Sequence, residues 1–91
     1  MKSTCIVTYD VSDNKRRQRL YVFLRGYAEH IQKSVFFCNL TKEHFIEMQK
    51  GIAQIIDPDC DQVLIVPCQI RSHIMALGKK LVDVEELLYF I

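Results

Sequence analysis

The residues best suited to chemistry in this chain stand in one stretch, Tyr9-Asp10-Val11-Ser12-Asp13-Asn14-Lys15-Arg16-Arg17-Gln18-Arg19. The apolar run Cys5-Ile6-Val7 leads into a carboxylate at Asp10, and four cations then fall within five residues at the start of a helix-like pattern. The first turn of a helix carries partial positive charge and favours acids, by roughly 0.3–1 kcal/mol per well-placed charge. Lys15, Arg16, Arg17 and Arg19 therefore stand at the unfavourable end. A local rule broken without compensation in the sequence tends to mark function. The stretch reads as a phosphate site with a carboxylate beside it.

Asp10 falls where the first strand should end, a position from which a side chain projects past the sheet. An Asx-type turn or cap is the commoner role for an isolated strand-end aspartate, and the adjacent cations favour a functional one. One carboxylate makes a poor Mg²⁺ site, because magnesium keeps an octahedral shell of one or two carboxylates, waters and substrate phosphate oxygens. A two-fold dimer that juxtaposed two copies of Asp10 would supply the second ligand. Asp57, Asp59 and Asp61 read as a turn and Glu85-Glu86 as a solvated tail, so no other acid looks like its partner. His30, His44 and His73 are separated and read as surface or packing residues, which leaves no acid, base and nucleophile set. In an enzyme reading, a metal ion would have to supply most of the chemistry.

The cations have an alternative role as an ordinary solvated helix face. Three of the four at the helix start are arginine, whose planar fork matches phosphate oxygens, and this weights phosphate binding above that alternative. Arg25 extends the set. No interleaved aromatics or base-reading pattern accompany it, so recognition would go to backbone and shape. Tyr9, Phe36 and Phe37 could stack on a base, although core packing is the better reading for the two phenylalanines.

These residues need elements to hold them. Thr4 to Tyr9 reads as a largely buried strand. Asp13 or Ser12 can cap a helix of three to four turns in which Leu20, Phe23, Leu24 and Tyr27 recur at helical spacing as far as Gly26-Tyr27. Glu29 to Leu40 is β-like, either one long strand or two bent about Gln32-Lys33-Ser34. Thr41 offers an N-cap, and Phe45, Met48, Ile52, Ile55 and Ile56 trace a helical stripe that Asp57-Pro58-Asp59 ends. Val63-Leu64-Ile65-Val66 suits a central buried strand closed by Pro67. His73 to Leu77 reads as a short strand ending at Gly78, and the apolar end Leu87 to Ile91 as a strand that pairs with another chain or a sheet edge.

That order predicts an α+β, ferredoxin-like βαββαβ sandwich with an additional C-terminal strand. Residues 1–78 would form the domain and residues 79–91 an extension pairing with a partner protomer. One sheet face would be left uncovered, and a second copy is the simplest cover, giving a homodimer with facing sheets. A chain of 91 residues, 49% hydrophobic and 25% charged, suits one compact domain. With no apolar run near the roughly 20 residues that span a bilayer, and no signal peptide, a cytoplasmic location without membrane association is expected. Cys5, Cys38, Cys60 and Cys68 form no CxxC pair and read as thiols. Net charge is only +1, but seven cations face three acids in residues 1–33 and five face eight in residues 34–91. A polyanion would be met by the N-terminal part.

Together, Tyr9-Asp10-Val11-Ser12-Asp13, Lys15-Arg16-Arg17, Gly26-Tyr27, Ile31-Gln32-Lys33-Ser34-Val35-Phe36, Ile56-Asp57-Pro58 and Asp61-Gln62-Val63-Leu64-Ile65 resemble the CRISPR-associated protein 2 family, over residues 1 to about 78. The resemblance implies the same fold, a homodimer with facing sheets, and C-terminal strands that complete the partner's sheet. It implies Asp10 as the catalytic residue and Mg²⁺ ligand, one from each protomer. It puts Tyr9, Arg16, Arg17, Arg19 and Phe36 at or near positions tied to activity or nucleic-acid contact, with Ser34 and Phe36 in support. Its implied role is spacer acquisition, the dimer bridging two dimers of the CRISPR-associated integrase and holding incoming duplex DNA. Many members are also metal-dependent endonucleases on single-stranded RNA or double-stranded DNA. A hydrolase and a binding scaffold are thus both implied. A ribonuclease toxin like virulence-associated protein D, which shares the fold, is the alternative, and the Ser34-Val35-Phe36 block and the C-terminal extension weigh against it.

Overall fold

The computed structural model describes residues 2–68. The chain runs β1 (Lys2–Asp10), α1 (Asn14–Arg25), β2 (Ala28–Gln32), β3 (Val35–Thr41), α2 (Lys42–Ile55) and β4 (Gln62–Cys68). The strands form one antiparallel sheet in the order β2-β3-β1-β4. This is the expected βαββαβ sandwich.

Period-two alternation decides which face each strand buries. Cys5, Val7 and Tyr9 of β1 and Phe36, Cys38 and Leu40 of β3 face the helices and join one core with Leu20 and Leu24 of α1 and Met48 and Ile52 of α2. Each helix contributes its buried pair at a spacing of four, the repeat that keeps side chains on one face. The helices pack closely because α2 carries Gly51 where they meet. A Cβ there would come within 2.0 Å of the Phe23 ring.

Both helices start as the sequence predicts. The Asp13 carboxylate accepts a hydrogen bond from the Arg16 amide at 2.9 Å, and the Thr41 hydroxyl accepts one from the His44 amide at 3.3 Å. The ambiguous stretch Glu29 to Leu40 is a hairpin, turning at Lys33-Ser34 with a register shift between His30 and Gln32.

One expectation fails. The run Val63-Leu64-Ile65-Val66 is not a central strand: β1 and β3 are central, and β4 is an edge among the described residues. Its apolar continuity has a different cause. Val63 and Ile65 pack on the core, whereas Leu64 and Val66 point to the opposite face, where they are about half exposed. Register places Phe37, Ile6 and Val66 in one row across that face and Val35, Thr8 and Leu64 in the next. Pro67 lies within β4, opposite Cys5, and an edge strand tolerates the missing amide. The strand expected at 73–77 and the extension at 79–91 lie outside the described residues.

Candidate functional site

The site is built where β1 gives way to α1. Asp10 is the last residue of β1, exposed, and opposite Gln62 of β4. Val11 is buried and anchors the chain before Asp13 caps α1. Among the described residues, no hydrogen bond or ion pair engages the Asp10 carboxylate. Beside it opens a shallow cleft of about 500 Å³ lined by Tyr9, Asp10, Val11, Arg17, Gln18, Tyr21, His30, Lys33 and Ser34. The hairpin turn supplies one wall because the Tyr9 amide donates to the Ser34 carbonyl at 3.1 Å, tying β1 to Lys33-Ser34.

The floor of the cleft is aromatic. Phe36, fully buried, lies 6.3 Å from the Tyr9 ring, 5.8 Å from Tyr21 and 5.0 Å from His30. Tyr21 and His30 meet edge to face at 5.0 Å, and a ring nitrogen of His30 lies 3.0 Å from the Lys33 carbonyl. The Arg25 guanidinium sits 5.7 Å from the centre of the Tyr21 ring. Burial, then Tyr21, raises the Tyr9 hydroxyl above its ordinary pKa.

The basic cluster is less uniform than its sequence. Arg16 forms a two-point pair with Asp61 in the turn before β4, with Nε donating at 2.7 Å and Nη2 at 3.2 Å. The Asp61 side chain has no exposed surface and also accepts from the Asp57 amide at 2.8 Å. The bond from Arg16, then that amide, hold the Asp61 carboxyl below the usual carboxylate range, and the same bond raises Arg16. The missing acid of the α1 first turn is thus supplied from a distant turn, and the rule that looked broken in the sequence is satisfied in three dimensions. Arg17 folds back instead, donating to the carbonyls of Val11 at 2.9 Å and Ser12 at 3.1 Å and to the Asn14 side chain. Lys15 and Arg19 stay exposed on the helix rim.

The structure therefore brings Tyr9, Asp10, Arg17 and Ser34 together over Phe36, sets Arg25 against Tyr21, and turns Arg16 toward Asp61. Sequence reasoning missed Tyr21, His30 and Lys33 as neighbours of Asp10. Tyr21 follows Arg17 by four residues and so shares its helix face, a signal the sequence did contain. The Arg16–Asp61 contact spans 45 residues and left no local trace.

For magnesium the donor set fits only in part. Asp10 offers hard carboxylate oxygens with nothing else engaging them, but no cluster of three or more His, Cys, Asp or Glu able to hold a metal occurs among the described residues.

Comparison with known proteins is consistent across sequence and structure. Residues 3–74 match the family model described as CRISPR associated protein Cas2. A CRISPR-associated endoribonuclease Cas2 of Thermodesulfovibrio yellowstonii is 40% identical over 78 residues, 86% of each chain. The crystal structure of Streptococcus pyogenes Cas2 superimposes with a TM-score of 0.77 at 27% identity, covering 82% of this chain and 99% of that one. A chain of a partial Cas6-RT-Cas1–Cas2 complex shares the fold at a TM-score of 0.68 and 24% identity, covering 90% of this chain and 99% of that one.

Proposed function

The chain belongs to the CRISPR associated protein Cas2 family, and from that premise we propose that it serves CRISPR adaptation in the cytoplasm as a homodimer that binds nucleic acid, partners the CRISPR-associated integrase and hydrolyses phosphodiesters through paired Asp10 carboxylates. The observation that carries the hydrolytic part is the contrast in how the carboxylates at this end of the sheet are used. Asp13 caps a helix and Asp61 is consumed by Arg16, whereas nothing among the described residues engages Asp10. A free, exposed carboxylate beside a cleft containing Arg17 and Lys33 is suited to a cation that binds phosphate. When bound, Mg²⁺ would supply Lewis acidity at the scissile phosphate. Asp10 would hold it, Arg17 and Lys33 would neutralise the flanking phosphates, and the Tyr9 hydroxyl would donate into the cleft.

Dimerisation is supported by the face opposite the helices. Across its rows of Phe37, Ile6, Val66 and Val35, Thr8, Leu64, the side chains of Leu64 and Val66 are about half exposed, and a second copy of the same face would cover them. Such an arrangement also gives a site with a single carboxylate per chain its second ligand. A toxin of the virulence-associated protein D type is set aside by the family match over residues 3–74. No helix among the described residues is long and apolar enough to cross a membrane.

The test is cleavage of single-stranded RNA and duplex DNA with and without Mg²⁺, by the wild-type chain and by Asp10→Asn, with mass measured in solution. Loss of cleavage with retained dimer and retained binding is expected. Equal cleavage by both chains would remove the hydrolytic reading and leave the scaffold.

A further inference from the structure

We propose that the cleft beside Asp10 is a subsite for one unpaired nucleotide, its base received by Tyr21 and His30 and its phosphate by Lys33. The proposal rests on the reading of Asp10 as the hydrolytic centre and adds to it what the neighbouring wall recognises.

The cleft differs in kind from a phosphate track. A surface built only to follow a duplex backbone needs cations and donors, as on the rim of α1 at Lys15 and Arg19. Here the lining has two aromatic rings that the Asp10 chemistry does not use, together with Lys33, Ser34 and Gln18. A volume of about 500 Å³ is enough for a nucleotide and too small for paired strands. His30 is exposed, and the contact of its ring nitrogen with the Lys33 carbonyl fixes the ring against the turn that carries the cation. Behind them Phe36 is fully buried, and both Tyr21 and His30 pack against its ring. Preorganised aromatic rings next to a cation are the elements with which proteins take unstacked bases, and the histidine ring serves as well as the benzenoid ones. A base inside a duplex is stacked on both sides and cannot enter.

The experiment measures binding in EDTA, so that hydrolysis plays no part. The probes are a short mixed-sequence single-stranded RNA, the same RNA with one abasic position walked along it, and a blunt DNA duplex of equal length. Tyr21→Ala and His30→Ala should each weaken single-strand binding about five- to tenfold while changing duplex binding less than twofold, and Tyr21→Phe should bind as wild type. In the wild type, one abasic position should cost about as much as Tyr21→Ala, and in Tyr21→Ala that position should no longer matter. If Tyr21→Ala is poorly folded by circular dichroism, His30→Ala decides, its side chain being exposed. Equal losses on single strand and duplex, an abasic scan with no sensitive position, or a wild type that does not bind the single strand would each overturn the subsite. Asp10→Asn is expected to bind the single strand normally and not cleave it, so failure of the hydrolytic reading and failure of the subsite give different results.

Discussion

Asp10 and Asp61 stand at the same end of the same sheet, Asp10 closing β1 and Asp61 just before Gln62, the residue that Asp10 faces across the ladder. Asp61 has no exposed side-chain surface, accepts two bonds from one guanidinium and one from a backbone amide, and ties the start of α1 to the start of β4. Asp10 is exposed and engaged by nothing among the described residues. The difference teaches that charge clustering does not by itself mark a site. The carboxylate whose bonding capacity is filled serves the fold, and the one left open across the β1–β4 ladder is free to meet a ligand.

The sharpest way to break this contrast is to neutralise each acid in turn. Asp10→Asn should lower metal-dependent cleavage about a thousandfold and leave the thermal midpoint within about a degree of wild type. Asp61→Asn should do the reverse, lowering the midpoint by on the order of 5 °C while the folded fraction cleaves at the normal rate. Cleavage assays paired with melting curves decide it, and a large stability loss in Asp10→Asn would mean that both carboxylates serve the fold.

Phe36 sharpens the contrast from beneath. It underlies the Asp10 cleft with no surface exposed, so Phe36→Ala should destabilise by about 3 kcal/mol or more and lose activity through unfolding. Denaturant titration against activity per folded molecule separates the two causes. Normal stability with lost activity would assign Phe36 a direct role that its burial argues against.

The arginines give a smaller effect. If Arg16 is spent on Asp61, Arg16→Ala should weaken the fold and leave the salt dependence of duplex binding nearly unchanged. Lys15→Ala with Arg19→Ala should flatten that dependence by about one unit of slope per lost contact. A flattening produced by Arg16→Ala alone would show that the Arg16–Asp61 pair opens to receive phosphate.

How much of this was legible in the sequence follows from the range of the forces involved. The helix caps at Asp13 and Thr41, the core stripe Met48-Ile52 and the strand-end place of Asp10 are all set by neighbours within about four residues, and all were readable. The edge place of β4 was not. An apolar run records that both faces of a strand meet apolar surroundings, and it is the same whether the second face meets helices or is left open on the sheet. Nor could the engagement of Arg16 be read, because Asp57-Pro58-Asp59-Cys60-Asp61 is a turn in sequence and becomes a guanidinium receptor only when the β1–β4 ladder brings it beside α1. The cleft wall at His30 and Lys33 likewise depends on the hairpin closing at a turn whose existence the sequence left open.

The smallest expected effect concerns pH, and it belongs to Asp61. Its carboxyl is held below the ordinary value of 3.8 in the folded chain, chiefly by Arg16 and then by the Asp57 amide. Unfolding releases it to that ordinary value, so the unfolded chain takes up the proton first as pH falls. The stability this contributes is fully present above about pH 5, declines through the unfolded value, and is gone once pH has passed below the folded one. Asp57, lowered chiefly by the Asp59 amide, adds a component of the same sign. Melting curves taken from about pH 6 to pH 2 should therefore show the gap between wild type and Asp61→Asn closing on the acid side, where protonation of the wild-type carboxyl imitates the substitution. A gap that stays constant across that range would mean that the asparagine variant loses packing or hydrogen-bond geometry rather than charge, and the pairing with Arg16 would then not be what holds α1 to β4.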